Sequence, residues 1–146
     1  MPTIRDFWLS MKSVLRCARQ IINAELEPLN LTSAEGDILF HLLTDNDGLT
    51  QEKLTERLDV GKAPVSRTVD SLVGKGYVKR VRHPNDARAY RITLTEKAVD
   101  IGASIENAYN GVYEIVKRGI PEAEFERLAV LLNRVAGNLH AAEVKK

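Results

Sequence analysis

Apolar side chains recur at helical spacing over residues 5–26: Phe7 and Trp8, Met11, Val14 and Leu15, Ala18, Ile21 and Ile22, then Leu26. Repeats of three to four residues put them on one stripe of a long amphipathic helix. Pro28 and Asn30 are expected to stop it. Thr32-Ser33-Ala34-Glu35 has the form of a capping box, in which the Thr32 hydroxyl accepts an orphan N–H and Glu35 reaches back. A second helix then buries Ile38, Leu39, Leu42 and Leu43, and Asp45-Asn46-Asp47-Gly48 predicts a turn. Thr50 caps a short third helix, Gln51 to Leu58, with Leu54 and Leu58 at i, i+4. After the break Asp59-Val60-Gly61, a fourth helix runs from about Lys62 to Lys75. Its expected buried face is Val65, Val69, Leu72 and Val73, and Gly76 is its C-terminal stop.

The period then changes. Tyr77 to Arg82 and Tyr90 to Leu94 alternate loosely, and His83-Pro84-Asn85-Asp86-Ala87-Arg88 between them is turn-rich, which predicts a β-hairpin with a long basic loop. Thr95 caps a fifth helix whose stripe of Ala98, Ile101, Gly102, Ile105, Ala108, Tyr109, Val112, Ile115 and Val116 predicts one continuous rod ending at Gly119. Pro121, with Glu122 and Glu124 suited to the positive end of the helix dipole, opens a sixth. Its stripe is Phe125, Leu128, Leu132, Val135, Ala136 and Leu139.

The whole chain of 146 residues carries a net charge of only +1, but the charge is unevenly spread. Residues 50–92 hold ten Lys/Arg against five Asp/Glu, a net +5, while the remainder is −4. A basic middle between acidic arms suits a polyanion, a solvated charged surface being the bland alternative. The apolar runs are far too short to cross a bilayer, and the N-terminal stretch has no signal-peptide apolar region, so a cytoplasmic location with no membrane partner is expected. A single cysteine, Cys17, leaves no internal disulfide.

Two helices joined by a tight turn and followed by a basic hairpin form a helix-turn-helix with a wing. The side of the fourth helix opposite its apolar face presents Lys62, Ala63, Pro64, Ser66, Arg67 and Asp70. Small early residues let a helix sit deep in a major groove, and Lys62 and Arg67 reach phosphates or guanine edges. Pro64 falls in the first turn, where no intrahelical N–H is needed. Arg88 near the hairpin tip is placed for a minor groove, with Asp86 aiming it. Phosphate contacts are expected from Lys62, Arg67, Arg82, Arg88 and Arg91, and base reading from Ala63, Pro64, Ser66 and Arg67.

The run Leu58-Asp59-Val60-Gly61-Lys62-Ala63-Pro64-Val65-Ser66-Arg67-Thr68-Val69-Asp70-Ser71-Leu72-Val73-Gly74-Lys75-Gly76-Tyr77-Val78 resembles the recognition-helix signature of the multiple-antibiotic-resistance-repressor (MarR-like) family. Arg82 to Thr95, with its Asp86-x-Arg88 pair and closing Leu94-Thr95, resembles the family's wing, and Leu29-Asn30-Leu31-Thr32 resembles the approach to its second helix. Two positions depart. Gly61 stands where the family often has Ser or Thr, so the recognition helix lacks a side-chain cap, at a cost of roughly a few tenths of a kcal/mol. Ala98 stands where it often has Gly. The resemblance implies a mainly α fold with a small β-hairpin wing (α+β), a winged helix-turn-helix with helical dimerisation arms. Residues 1–146 would be one MarR-like domain, with 32–95 the DNA-binding part and 4–28 and 96–143 the dimerisation part. It further implies a homodimer on double-stranded DNA, reading a pseudo-palindromic operator with recognition helices roughly 34–36 Å apart. A repressor released by a small aromatic or phenolic effector follows from the same resemblance.

Other residues point to alternatives. Cys17 lies near where some members of that family sense peroxide, which makes a thiol-based repressor one alternative; a lone helical cysteine is more often a small buried hydrophobe. Arg16 beside it and the half-buried His41 complete a candidate ligand or redox group. A winged-helix protein–protein interaction module is the other alternative, against which the basic wing argues. His41, His83 and His140 lack metal-ligand spacing, and neither a metal nor a cofactor is expected. No phosphate loop, nucleophile elbow or zinc-protease motif occurs, so an enzyme is not expected.

Overall fold

The computed structural model describes residues 1–45 and 48–144, and the backbone alone of His83, residues 86–89 and Val144. It divides into two compact units, Met1–Val112 and Tyr113–Lys146.

In the first unit, α1 (Ile4–Leu26) starts on a capping box between Thr3 and Asp6. It runs into one 3₁₀ turn, Glu27–Leu29, and the chain reverses at Asn30 with φ of 57°, a conformation that asparagine tolerates better than most residues. Thr32 and Glu35 form the expected capping box at the start of α2 (Ser33–Thr44). Then come β1 (Leu49–Thr50), α3 (Gln51–Leu58) capped by Thr50, and α4 (Lys62–Gly74). The connection from α3 to α4 is Asp59, left-handed at φ of 52°, then Val60 and Gly61.

The end of α4 is a Schellman turn: the Gly76 N–H donates to the Val73 carbonyl and the Tyr77 N–H to the Leu72 carbonyl, both at 3.0 Å. Gly76 takes φ of +81°, which is why a residue without Cβ sits there. The chain then enters β2 (Val78–His83) and returns as β3 (Asp86–Leu94). The sheet has three antiparallel strands in the order β1-β3-β2, not the isolated hairpin expected. Leu49 and Thr50 face Ile92 and Arg91 across the extra pairing. Two residues are too few to show alternation, so no sequence pattern announced that strand. The wing turn is also shorter than expected. Only Pro84 and Asn85 lie between the strands, with a register shift at Arg82/His83 that bends the ribbon.

Thr95 caps α5 (Glu96–Asp100), and the expected single rod breaks at Ile101 before α6 (Gly102–Lys117). Ala98, Gly102, Ile105, Ala108 and Val112 remain buried in step through the break, so periodicity does not reveal it. A Cβ on Gly102 would lie 3.0 Å from a Leu43 methyl, a close approach that only glycine makes easily. The core of this unit gathers Leu26, Ile38, Leu39, Leu42, Leu54, Val69, Leu72, Ile92 and Ile105, all fully buried. Val73, expected on the buried face of α4, is exposed instead. It follows Leu72 directly, and neighbouring residues on a helix point about 100° apart.

The second unit comprises the last turns of α6, a reversal at Gly119 (φ +77°) and α7 (Glu122–Val144). Tyr113 meets Phe125 edge-on at 5.5 Å, with the Lys117 ammonium over the Tyr113 ring. Leu128, Leu131, Leu132 and Leu139 of α7 are exposed. The same holds in the first unit for Phe7, Trp8, Val14 and Leu15 of α1.

Candidate nucleic-acid interface

The first turn of α4 has no side-chain cap, because Gly61 occupies the N-cap position. No side chain caps its N–H groups, and Lys62, Ala63, Pro64 and Arg67 are exposed around them. Ser66 is half-buried, so its hydroxyl lies less far forward than the others. Val65, Val69 and Leu72 on the opposite side anchor the helix in the core.

On the ribbon, Arg82 pairs across the strands with Tyr90 and Val81 with Arg91. Directly paired residues share a face and consecutive residues alternate, so the exposed side chains of Arg82 and Arg91 project from opposite faces of the wing. A single phosphate strand therefore does not meet both by the same route. Among the described residues none of Lys62, Arg67, Arg82 and Arg91 is paired with a carboxylate. Arg80 is different: it donates to Asp70 of α4 at 2.6 Å, tying the base of the wing to the recognition helix. The sequence suggested no partner for either residue, since ten positions and a change of element separate them. The Asp86 and Arg88 side chains lie outside the described residues.

Of the candidate sensing group, Cys17 is exposed rather than a buried hydrophobe. Arg16 is engaged by Gln20 one turn on, at 3.4 Å. His41 is half-buried, as expected, with Nδ1 2.8 Å from the Asp37 carbonyl. Neither Cys17, Arg16 nor His41 lines a cavity of about 330 Å³ that opens between α1, α2 and the helix-turn-helix. Arg19, Asp37, Leu58, Val60, Pro64 and Thr68 are among its walls. Asp37 accepts a short hydrogen bond from the Tyr109 hydroxyl, and the Tyr109 ring stacks on Phe40 at 4.3 Å. Burial pushes the Asp37 carboxyl above its ordinary value, although Tyr109, His41 and Arg19 pull the other way. Burial, and then the Asp37 carboxylate, push the Tyr109 hydroxyl far up, so it stays a donor. Sequence reasoning saw Tyr109 as packing, weighed Arg19 only as a neighbour of Cys17 and passed over Asp37; their separation in the chain carried no signal.

Among the described residues no group of three metal-ligating side chains gathers, and no helix is long and apolar enough to cross a membrane.

The model of the MarR family matches residues 29–89, the stretch that contains α2, the helix-turn-helix and most of the wing. The crystal structure of the transcriptional regulator PA3341 is 31% identical over 92% of this chain and 98% of that one, with a TM-score of 0.82. The chain belongs to the MarR family. A MarR transcriptional regulator from Methanosarcina mazei Go1 is 26% identical over 90% of this chain and 94% of that one, with a TM-score of 0.79. A putative MarR family regulator from Listeria monocytogenes, solved in complex with a 26mer DNA, shares the fold at a TM-score of 0.85. It is 24% identical over 95% of this chain and 90% of that one. This MarR-family chain is therefore a transcriptional regulator of winged-helix fold, from a family of non-enzymatic DNA-binding proteins.

Proposed function

We propose that the chain acts as a homodimer that binds a pseudo-palindromic operator and represses transcription until a small aromatic or phenolic effector releases it. The observation that carries this reading is the uncapped, exposed first turn of α4, with Lys62 and Arg67 paired with no carboxylate among the described residues, beside a wing bearing Arg82 and Arg91. Such a surface takes a phosphate backbone by charge and base edges by side-chain geometry. Asp86 and Arg88 join it as the wing-tip pair that the family resemblance implies. The exposed apolar faces of α1 and α7 supply what a second copy would cover.

Selection of bound duplexes from a random pool by the full-length protein tests the reading. A two-fold-related half-site is expected, with affinity falling steeply as salt rises. Absence of salt-sensitive binding to any duplex would overturn it. Within that assay, Arg67→Ala should cost about 1–3 kcal/mol of discrimination at one base position while non-specific affinity barely changes. Equal losses on specific and scrambled duplexes would make Arg67 a phosphate clamp.

The effector part rests on the cavity that Arg19 and Asp37 share with Pro64 and Thr68 of the recognition helix. A ligand shifts an equilibrium only through different affinities for two states. A cavity walled by both α1 and α4 is one whose shape changes when the head moves. Arg19→Ala should leave operator affinity in place but require about tenfold more salicylate for release, the effect of losing one charged contact. Unchanged release by salicylate would remove Arg19 from the effector site.

A further inference from the structure

Glu35 is the one charged residue among the described residues that is buried, with 3% of its surface exposed. As the N3 residue of a capping box it needs only to bond back to Thr32, and a surface glutamate does that equally well. Here the carboxylate does more. Oε1 accepts from the Thr32 N–H at 2.9 Å, from the Thr32 hydroxyl at 3.2 Å and from Lys75 Nζ at 2.9 Å. Oε2 accepts from the Ser71 hydroxyl at 2.8 Å. Lys75 Nζ also donates to the Asn30 carbonyl at 2.7 Å. Burial alone would raise the Glu35 carboxyl, but the hydrogen bonds from Lys75, Thr32 and Ser71 outweigh it and hold it below the ordinary glutamate value, so it is ionised at neutral pH.

We propose that Glu35 is a positioning residue for operator recognition: its carboxylate clamps the last turn of α4 to the first turn of α2 and so fixes the roll at which the first turn of α4 meets DNA. The inference rests on the DNA-binding reading above. Its physical basis is that the apolar contacts of Val65, Val69 and Leu72 hold α4 in the core without direction, whereas hydrogen bonds are directional. Ser71 and Lys75 are one helical turn apart, so two bonds to one carboxylate set both rotation and height. A roll of about 10° moves a group about 6 Å from the helix axis by about 1 Å, beyond the tolerance of a base contact. A buried ion pair adds little to stability compared with well-packed apolar side chains, so orientation is what such a group best supplies.

Glu35→Gln and Ser71→Ala test the clamp. Glutamine suits the same capping position and has the same shape, so α2 keeps its start while the charge is lost. Ser71→Ala removes one bond and covers the event that Glu35→Gln does not fold. In the full-length protein Glu35→Gln should lower affinity for the selected operator by at least about tenfold, the scale of one lost base contact, and change affinity for a scrambled duplex by less than about twofold. Ser71→Ala should shift the same ratio by less. The Lys75, Gly76 and Tyr77 amides, which close the end of α4, should exchange with deuterium faster than those of α3. An unchanged ratio in both folded variants, or equal losses on both duplexes, overturns the proposal. Should the unaltered protein bind no duplex, the DNA-binding reading fails by itself. Amide exchange then decides the clamp: selective acceleration at 75–77 upholds it and unchanged rates overturn it.

Discussion

Changing Leu128 and Leu132 of α7 together to lysine is expected to yield a folded monomer whose operator affinity is lower by about 10²–10⁴, the gain that linking two binding heads confers. The two leucines lie one helical turn apart and stand 42% and 39% exposed in the single chain, so their replacement touches little inside it. Burying a leucine contributes about 1.5–3 kcal/mol, and a lysine at the same place brings a charge that an apolar interface does not accept. Light scattering reports the mass, and titration with a full operator and an isolated half-site reports the two affinities. The half-site should bind as before, because α4 and the wing are unaltered. A variant with the same mass as the unaltered protein, or a monomer that holds the full operator as tightly, would remove α7 from the proposed dimer interface.

Leu72→Ala is expected to destabilise the chain by about 2–5 kcal/mol, as a truncated, fully buried leucine does when its surroundings relax only in part. Leu72 packs in the core on the inner side of α4 and also supplies the carbonyl that accepts the Tyr77 N–H in the Schellman turn. Alanine keeps that carbonyl, so the turn's hydrogen bond survives and the loss is one of side-chain packing under the end of α4. Urea denaturation gives the magnitude. A loss below about 1 kcal/mol would show that the neighbouring side chains close the space and that this end of α4 is not tightly packed.

Most of the architecture was legible because its boundaries are made by local chemistry. Thr32 with Glu35, Thr50, Gly76 and Thr95 mark helix ends through bonds to their own neighbourhood, and each acts as its position suggested. What was illegible depends on distant partners. β1 exists because Leu49 and Thr50 meet Ile92 and Arg91, more than forty residues away. The break at Ile101 falls beside the close approach of Gly102 to Leu43, while the apolar period runs on undisturbed. Val73 shared a valine stripe by composition but not by angle. The exposure of the candidate residues Lys62, Ala63, Pro64 and Arg67 was legible as the outer side of an amphipathic helix. The bonds that Glu35, Asp37 and Arg80 make to side chains of other elements were not, because the partners lie far along the chain.

The end of the wing is fastened where the recognition helix ends. The Thr95 hydroxyl lies 2.6 Å from the Gly76 carbonyl and its N–H donates to Tyr77, while Lys97 Nζ donates to the Lys75 carbonyl and sits over the Tyr77 ring. Two stretches of chain, 75–77 and 95–97, are thereby welded at one joint. A duplex that pulls on the ribbon loads the helix in the same instant, and the conformational freedom surrendered on docking is that of one solid piece rather than two.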